Sequence, residues 1–254
     1  MIDQVAIEKD IAFTSTAQKE LLCDLYRPSP SAAKNVGVIH IHGGGGTGGS
    51  KDGARLAASL AERGYLGIAM QYRLAPEAMW PAQLEDVNAC ISWARGNAPD
   101  LGIDSSKIAL LGYSIGAQFA FVAAGAPADG KISACVCLYT SGRNDNGSAS
   151  VLGEARVAQE LDRLDPLAYI HPRFPPTQLF HGNADTVVDA GSSFELYKSL
   201  TAAGVPAELH VVEGVNHGFE GWPEFAMPTA AFIDLFLERH VVMPRSYRER
   251  PPRR

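Results

Sequence analysis

The chain has 254 residues, 46% hydrophobic and 20% charged, and a net charge of −6. That size and composition fit one sizeable globular domain. The acidic balance argues against nucleic acid or an anionic membrane surface as partner, and no apolar run reaches the ~18 residues of a spanning helix. Cys23, Cys90, Cys135 and Cys137 are too few for a disulfide scaffold and form no C-x-x-C pair. Met1–Gln4 has neither a basic start nor an apolar core, so the chain reads as cytoplasmic.

Taken in order, Asp3–Phe13 and Glu20–Tyr26 alternate or run extended around a turn at Ser15–Lys19, which predicts an antiparallel edge pair. Val36–Ile41 is a short β-branched run, followed by a glycine-rich loop from Gly43 to Gly49. Asp52–Glu62 has helical spacing, Tyr65–Gln71 reads as a strand and Ala82–Arg95 as an amphipathic helix. A strand at Lys107–Leu111 leads through a serine turn to a buried helix over Ala117–Ala124, then to a strand at Ile132–Tyr139. Cys135 and Cys137, two apart in that strand, should face one side.

Ser141–Pro176 reads as an irregular insert carrying one short helix, Ala155–Leu164, and is the candidate lid. Thr177–Phe180 is a strand. Ser192–Leu200 is a helix with Ser192 and Glu195 in capping-box spacing. Ala207–Val212 is the last strand, Ala226–Glu238 the last helix, and Arg245–Arg254 a basic, solvated tail. Buried strands alternating with helices predict an α/β fold: a mostly parallel, eight-stranded sheet with helices on both faces, in a single domain spanning 1–254.

The serine turn reads Gly112-Tyr113-Ser114-Ile115-Gly116, a G-x-S-x-G frame. Set between strand and helix, it thrusts a hydroxyl out of the sheet top; taken alone it is also compatible with a plain turn. A serine nucleophile needs a histidine base, and the base needs a carboxylate to orient it. In an open α/β sheet such groups belong at the carboxyl ends of strands. Of seven histidines, His40 and His210 lie inside strands, His240 ends a helix and His171 sits in the insert. His217, just past the last strand, has the address of the base. Beyond Phe180, Asp185 and Asp189 are both available as the carboxylate; Asp189 lies close before a helix, where capping suits it, which favours Asp185. The glycine run His42–Gly46 after a strand offers amides at contact distance, whereas a phosphate-binding loop would need a Gly-Lys-Ser/Thr order that Ser50-Lys51 does not keep.

The order Ser114, Asp185, His217 with His42-Gly43-Gly44-Gly45 upstream resembles the α/β-hydrolases. Tyr72-Arg73-Leu74-Ala75-Pro76-Glu77, the stretch Trp80–Val87, and Leu101–Ile108 make it most similar to hormone-sensitive-lipase-like carboxylesterases and their small feruloyl and acetyl esterase relatives. The resemblance covers roughly residues 36–240. It implies Ser114 as nucleophile, His217 as base and acid, Asp185 as orienting carboxylate, and the amides of Gly44, Gly45 and Ile115 as oxyanion hole. It further implies that His42 braces the loop, and that Glu85 and Asp86 pin the segment after Tyr72. Three departures stand out. Gly46 replaces a large residue, which predicts a more mobile loop. Ile115 brings β-branched bulk that should narrow the acyl site. The 41 residues before His42 leave room for only a reduced cap.

The expected function is hydrolysis of small carboxylic esters through an acyl-enzyme, with no cofactor and no metal, the chain having no H-e-x-x-H run and no cysteine cluster. Trp80, Phe219 and Trp222 are candidates for the pocket wall, with a core role as the alternative. A small amidase, formamidase or peptidase of the same fold, or a non-catalytic binding protein, are the competing functions. A small ester is the expected partner, and the last strand is a candidate homodimer edge.

Overall fold

The short strands β3 (Gly37–Ile41), β4 (Leu66–Met70), β5 (Ile108–Tyr113) and β6 (Ala134–Leu138) are buried at every position. Strands so covered on both faces must lie inside a sheet with helices above and below. A computed structural model, which describes residues 5–17, 19–142, 146–153 and 157–246, places them there. With β1 (Ala6–Ser15), β2 (Glu20–Arg27), β7 (Thr177–Gly182) and β8 (Ala207–Val212) they form an eight-stranded sheet in the order β1-β2-β4-β3-β5-β6-β7-β8. β1 and β2 pair antiparallel with each other, β2 pairs antiparallel with β4, and every other pair is parallel. Among the described residues no helix is long and apolar enough to cross a membrane.

The core follows the two-residue period of the strands. Ile39 and Ile41 of β3 and Leu110 of β5 point into one cluster with Phe119 and Phe121. Val38, Ala109 and Leu111, one position out of phase, point into the other with Leu60, Phe219 and Phe236. Helices α2 (Ala82–Gly96), α4 (Ile115–Gly125) and α7 (Gly191–Ala202) contribute to the first cluster, and α1 (Ala57–Ala61) and α8 (Pro223–Leu237) to the second. A short α3 (Ala98–Leu101) follows α2. Cys135 and Cys137 do share a face, their sulfurs 3.6 Å apart.

Several elements depart from the sequence reading. The helix expected over Asp52–Glu62 is a 3₁₀ turn at Lys51–Gly53 followed only at Ala57 by α1. The chain is drawn inward there by Lys51, whose buried ammonium donates to Asp24 at 2.7 Å and pairs with Asp10 at 3.0 Å. The capping box does not form. α7 starts at Gly191, and the Ser192 hydroxyl donates to the carbonyls of Thr140 and Asp189, while Asp189 accepts the Gly191 amide at 3.0 Å.

The insert is more ordered than its composition suggests, with α5 (Asn146–Leu152), α6 (Val157–Leu164) and a 3₁₀ turn at Pro166–Tyr169. α5 is rich in Gly, Ser and Ala and has little propensity of its own; Val151 and Leu152 anchor it in the core, and the Val151 carbonyl accepts the Trp80 amide at 2.9 Å. Positions 155 and 156 of the expected insert helix, 247–254 of the basic tail and 1–4 lie outside the described residues.

His40 is fully enclosed in β3, where its Nδ1 accepts from the Tyr113 hydroxyl at 3.3 Å. Burial pushes its pKa down to about 3. Between pH 6.5 and that value the unfolded chain binds a proton that the folded chain refuses, so stability falls as pH falls. From pH 7 to pH 5 this one histidine should cost about 2 kcal/mol. Urea unfolding at both pH values should show that difference shrink by a similar amount in His40→Gln; an unchanged difference would mean His40 is not held neutral.

Candidate active site

β5 runs to Tyr113 and α4 begins at Ile115, so Ser114 alone makes the turn between them. It sits at φ 56°, ψ −126°, a conformation that costs a non-glycine residue about 1–3 kcal/mol. Its surroundings impose it: the Ser114 amide donates to Leu138 of β6 at 3.0 Å, and its carbonyl accepts from Ala117 at 2.8 Å. The flanking glycines are required by space. A Cβ on Gly112 would stand 2.3 Å from the Cα of Ala117, and one on Gly116 would stand 2.3 Å from the carbonyl oxygens of Ile41 and His42. The helix therefore crosses directly over the end of β3, which brings Ser114 beside the glycine loop.

The Nε2 of His217 lies 3.0 Å from Ser114 Oγ, and its Nδ1 lies 2.7 Å from Asp185 Oδ2. With Nδ1 protonated, the ring donates to the carboxylate and accepts the serine proton. The Asp185 side chain is fully buried. Burial raises its pKa, but the amides of Val188 and Val187, both donating to Oδ1, and the His217 contact outweigh it and hold the carboxyl below the usual range. An ionised carboxylate thus faces His217 at neutral pH. Asn216 ties the two loops together: its Oδ1 accepts from the amides of Thr186 and His217.

Two groups stand behind this trio. His181, wholly buried, donates Nε2–H to Val188 O at 3.1 Å, accepts from Ser193 at Nδ1, and lies 3.4 Å from Asp185 Oδ2; burial lowers its pKa, so it stays neutral. Tyr139, at the carboxyl end of β6 with φ 41°, lays its ring 4.3 Å from that of His217 and donates its hydroxyl to Glu220 at 2.7 Å.

Across from His217, the imidazole of His42 donates Nδ1–H to Gly43 O at 2.8 Å and stacks on Tyr72 at 4.1 Å. Tyr72 in turn donates to the His42 carbonyl at 2.9 Å. Burial pushes His42 down to about 4, so it is neutral at pH 7. Arg73 is locked behind it by Asp86, which accepts the Arg73 amide at 2.7 Å, and by Glu85. The amides of Gly44 and Gly45 have no backbone acceptor among the described residues. A cavity of about 240 Å³ opens between this loop, Ser114, His217, Tyr139, Arg55 and Glu220.

Comparison with known proteins agrees with this architecture. A family described as BD-FAE matches residues 23–141. Esterase LipC of Mycobacterium tuberculosis is 28% identical over 86% of this chain, and ethyl acetate hydrolase of Pseudomonas putida 29% identical over 83%. This chain spans 62% of the length of LipC and 74% of the second. In three dimensions, the apo form of Thermogutta terrifontis esterase 2 superposes with a TM-score of 0.80 at 22% identity, over 97% of this chain and 98% of that one. The chain has the α/β-hydrolase fold.

Within this fold, the structure brings Ser114, Asp185 and His217 together and leaves Asp189 at the start of α7. Gly44 lines the cavity; Gly45 and Ile115 do not. The Ile115 side chain is packed in the core cluster on the far side of its own turn, so its bulk does not narrow the cavity. Nor do the three aromatics line it. Trp80 stacks on Phe119 in the core, Phe219 is buried between Tyr139 and Phe225, and Trp222 is 65% exposed. The apolar surface of Trp80 and Phe219 is buried in the core instead.

Gly46, expected to loosen the loop, is held. A Cβ there would stand 2.1 Å from Val151 Cγ1, and its carbonyl accepts the Ala75 amide at 2.9 Å, so α5 fills the space a larger residue would occupy. Sequence reasoning missed Tyr139, His181, Arg55 and Glu220. The strand-end rule points to Tyr139 and His181; no sequence signal marks Arg55.

Replacing Gly116 by Ala should therefore lower stability by on the order of 3 kcal/mol, because backbone rather than a side chain must yield. Urea unfolding of the variant measures it, and a loss under about 0.5 kcal/mol would contradict the contact.

Proposed function

We propose that the chain is a serine carboxylesterase acting on small acyl esters. The observation that carries this reading is the hydrogen-bonded line from Asp185 through His217 to a serine held in a strained turn. Ser114 Oγ attacks the ester carbonyl while His217 Nε2 takes its proton, and buried Asp185 stabilises the imidazolium that results. The amides of Gly44, Gly45 and Ile115 receive the negative charge that develops on the carbonyl oxygen, the last of these at the N-terminus of α4. His217 then gives the proton to the departing alcohol, and water activated by the same ring releases the acid.

The relatives support the ester rather than the amide alternative. LipC is named an esterase, the Pseudomonas protein hydrolyses ethyl acetate, and the Thermogutta enzyme has been obtained with propionate bound and phosphonylated by sarin. A cavity of about 240 Å³ suits short groups. The reading includes a single domain in which the insert 141–176 is the candidate lid. It also includes a cytoplasmic location, in keeping with four unpaired buried cysteines, and pairing of two copies along the β8 edge.

Ser114→Ala should abolish turnover of p-nitrophenyl acetate and labelling by a fluorophosphonate probe, with thermal unfolding nearly unchanged. Faster cleavage of matched anilides than of esters by the wild type would overturn the ester assignment. Asp185→Asn should lower kcat by about 10⁴, and Asp189→Asn by far less. The reverse order would mean that Asp189 is the orienting carboxylate.

A further inference from the structure

The cavity beside Ser114 has an unusual wall. Among the described residues that line it, none carries an aliphatic side chain: glycines alternate with His42, Ser50, Arg55, two tyrosines, His217 and Glu220. A pocket made for a plain hydrocarbon group would be walled by apolar side chains.

Its lining includes a charged pair, Arg55 and Glu220, with spare hydrogen-bonding capacity. Arg55 lies over the turn that follows His217; the absence of side chains at Gly218 and Gly221 makes room for it, since a Cβ on Gly221 would stand 2.6 Å from Nη1. Through Nη1 it donates to Gly218 O at 3.2 Å and, at a long 3.4 Å, to Glu220 Oε1. A guanidinium has five N–H donors, so most of Arg55 remains available, and its side chain is 52% exposed. Glu220 is the reverse case. Its side chain is 1% exposed, Oε1 takes the Tyr139 hydroxyl and Arg55, and Oε2 is buried with no hydrogen-bond partner among the described residues. An unpartnered buried carboxylate oxygen is costly, and here it belongs to a residue on the cavity wall.

We propose that Arg55 and Glu220 form a subsite for a hydroxyl group carried by the substrate. The inference rests on the esterase reading and narrows it. A hydroxyl accepts from an Arg55 N–H and donates to the Glu220 carboxylate, so it satisfies both partners at once. A carboxylate satisfies only Arg55 and meets the buried negative charge of Glu220 3.4 Å behind it, which cancels most of the attraction. The hydroxyl belongs to either the acyl or the alcohol portion of the ester, and the experiment separates these.

The test uses near-isosteric pairs in which a hydroxyl replaces a methyl: ethyl lactate against ethyl isobutyrate for the acyl side, and 2-hydroxyethyl acetate against propyl acetate for the alcohol side. Values of kcat/KM are measured by pH-stat and divided by each ester's rate of hydroxide hydrolysis. In the wild type one pair should favour the hydroxylated member by about tenfold or more, and that pair identifies the side. In Arg55→Leu and in Glu220→Gln the ratio within that pair should fall towards one; being a ratio inside one protein, it is insensitive to general loss of activity. Arg55 is half-exposed, so its variant has little reason to misfold. Ratios near one for both pairs in the wild type, or a ratio kept in both variants, overturn the subsite while leaving the esterase reading intact. Preference for monoethyl succinate over all four overturns it in favour of an anion site. No turnover of any ester overturns the esterase reading and the subsite with it.

Discussion

Much of this molecule depends on one backbone contact, the crossing of α4 over the carboxyl end of β3 at Gly116. The carbonyls of Ile41 and His42 approach so closely that no side chain fits between them and the helix. That approach sets where the helix axis lies, and hence forces the turn before it into a single residue with positive φ. It also brings the start of the glycine loop against the serine, with the Gly43 Cβ position 3.1 Å from the Cβ of Ser114. The strain at Ser114 is sustained because β6 holds its amide and the first turn of α4 its carbonyl.

Around this point, buried polar groups are arranged in nested shells whose charges are settled by burial. Asp185 stays ionised because two amides and His217 face it in spite of its burial. His42 and His181 stay neutral because burial disfavours their cations. These opposite outcomes let His42 and His181 act as fixed braces while a half-buried His217 lies between carboxylate and hydroxyl. The insert has a comparable bracing role on the other side, where Val151 occupies the space left by Gly46.

The cavity and the aromatics near it draw on different residues. Trp80 and Phe219 stabilise the sheet-helix packing close to the site without entering it. The wall is instead built of glycines and hydrogen-bonding groups.

The sequence by itself determined the strand order's raw material and the strand-end positions of Ser114, Asp185 and His217. Continuous apolar runs had to be central strands, and the strand-end addresses of Ser114, Asp185 and His217 follow from where those runs stop. Local glycine and turn chemistry also revealed the serine turn and the glycine loop, because both are constraints between near neighbours. Other features depended on residues far apart in the chain. The 3₁₀ turn at Lys51 exists because Asp24 on β2 and Asp10 on β1 attract its ammonium. α5 is held by Trp80 and the core rather than by its own propensity. Ile115 faces the core rather than the cavity because α4 turns its first residue that way, and Arg55 meets Glu220, 165 positions along the chain, only once the sheet has folded. Side-chain direction and long-range ion pairing have no local signature, so tertiary structure alone decided what lines the site.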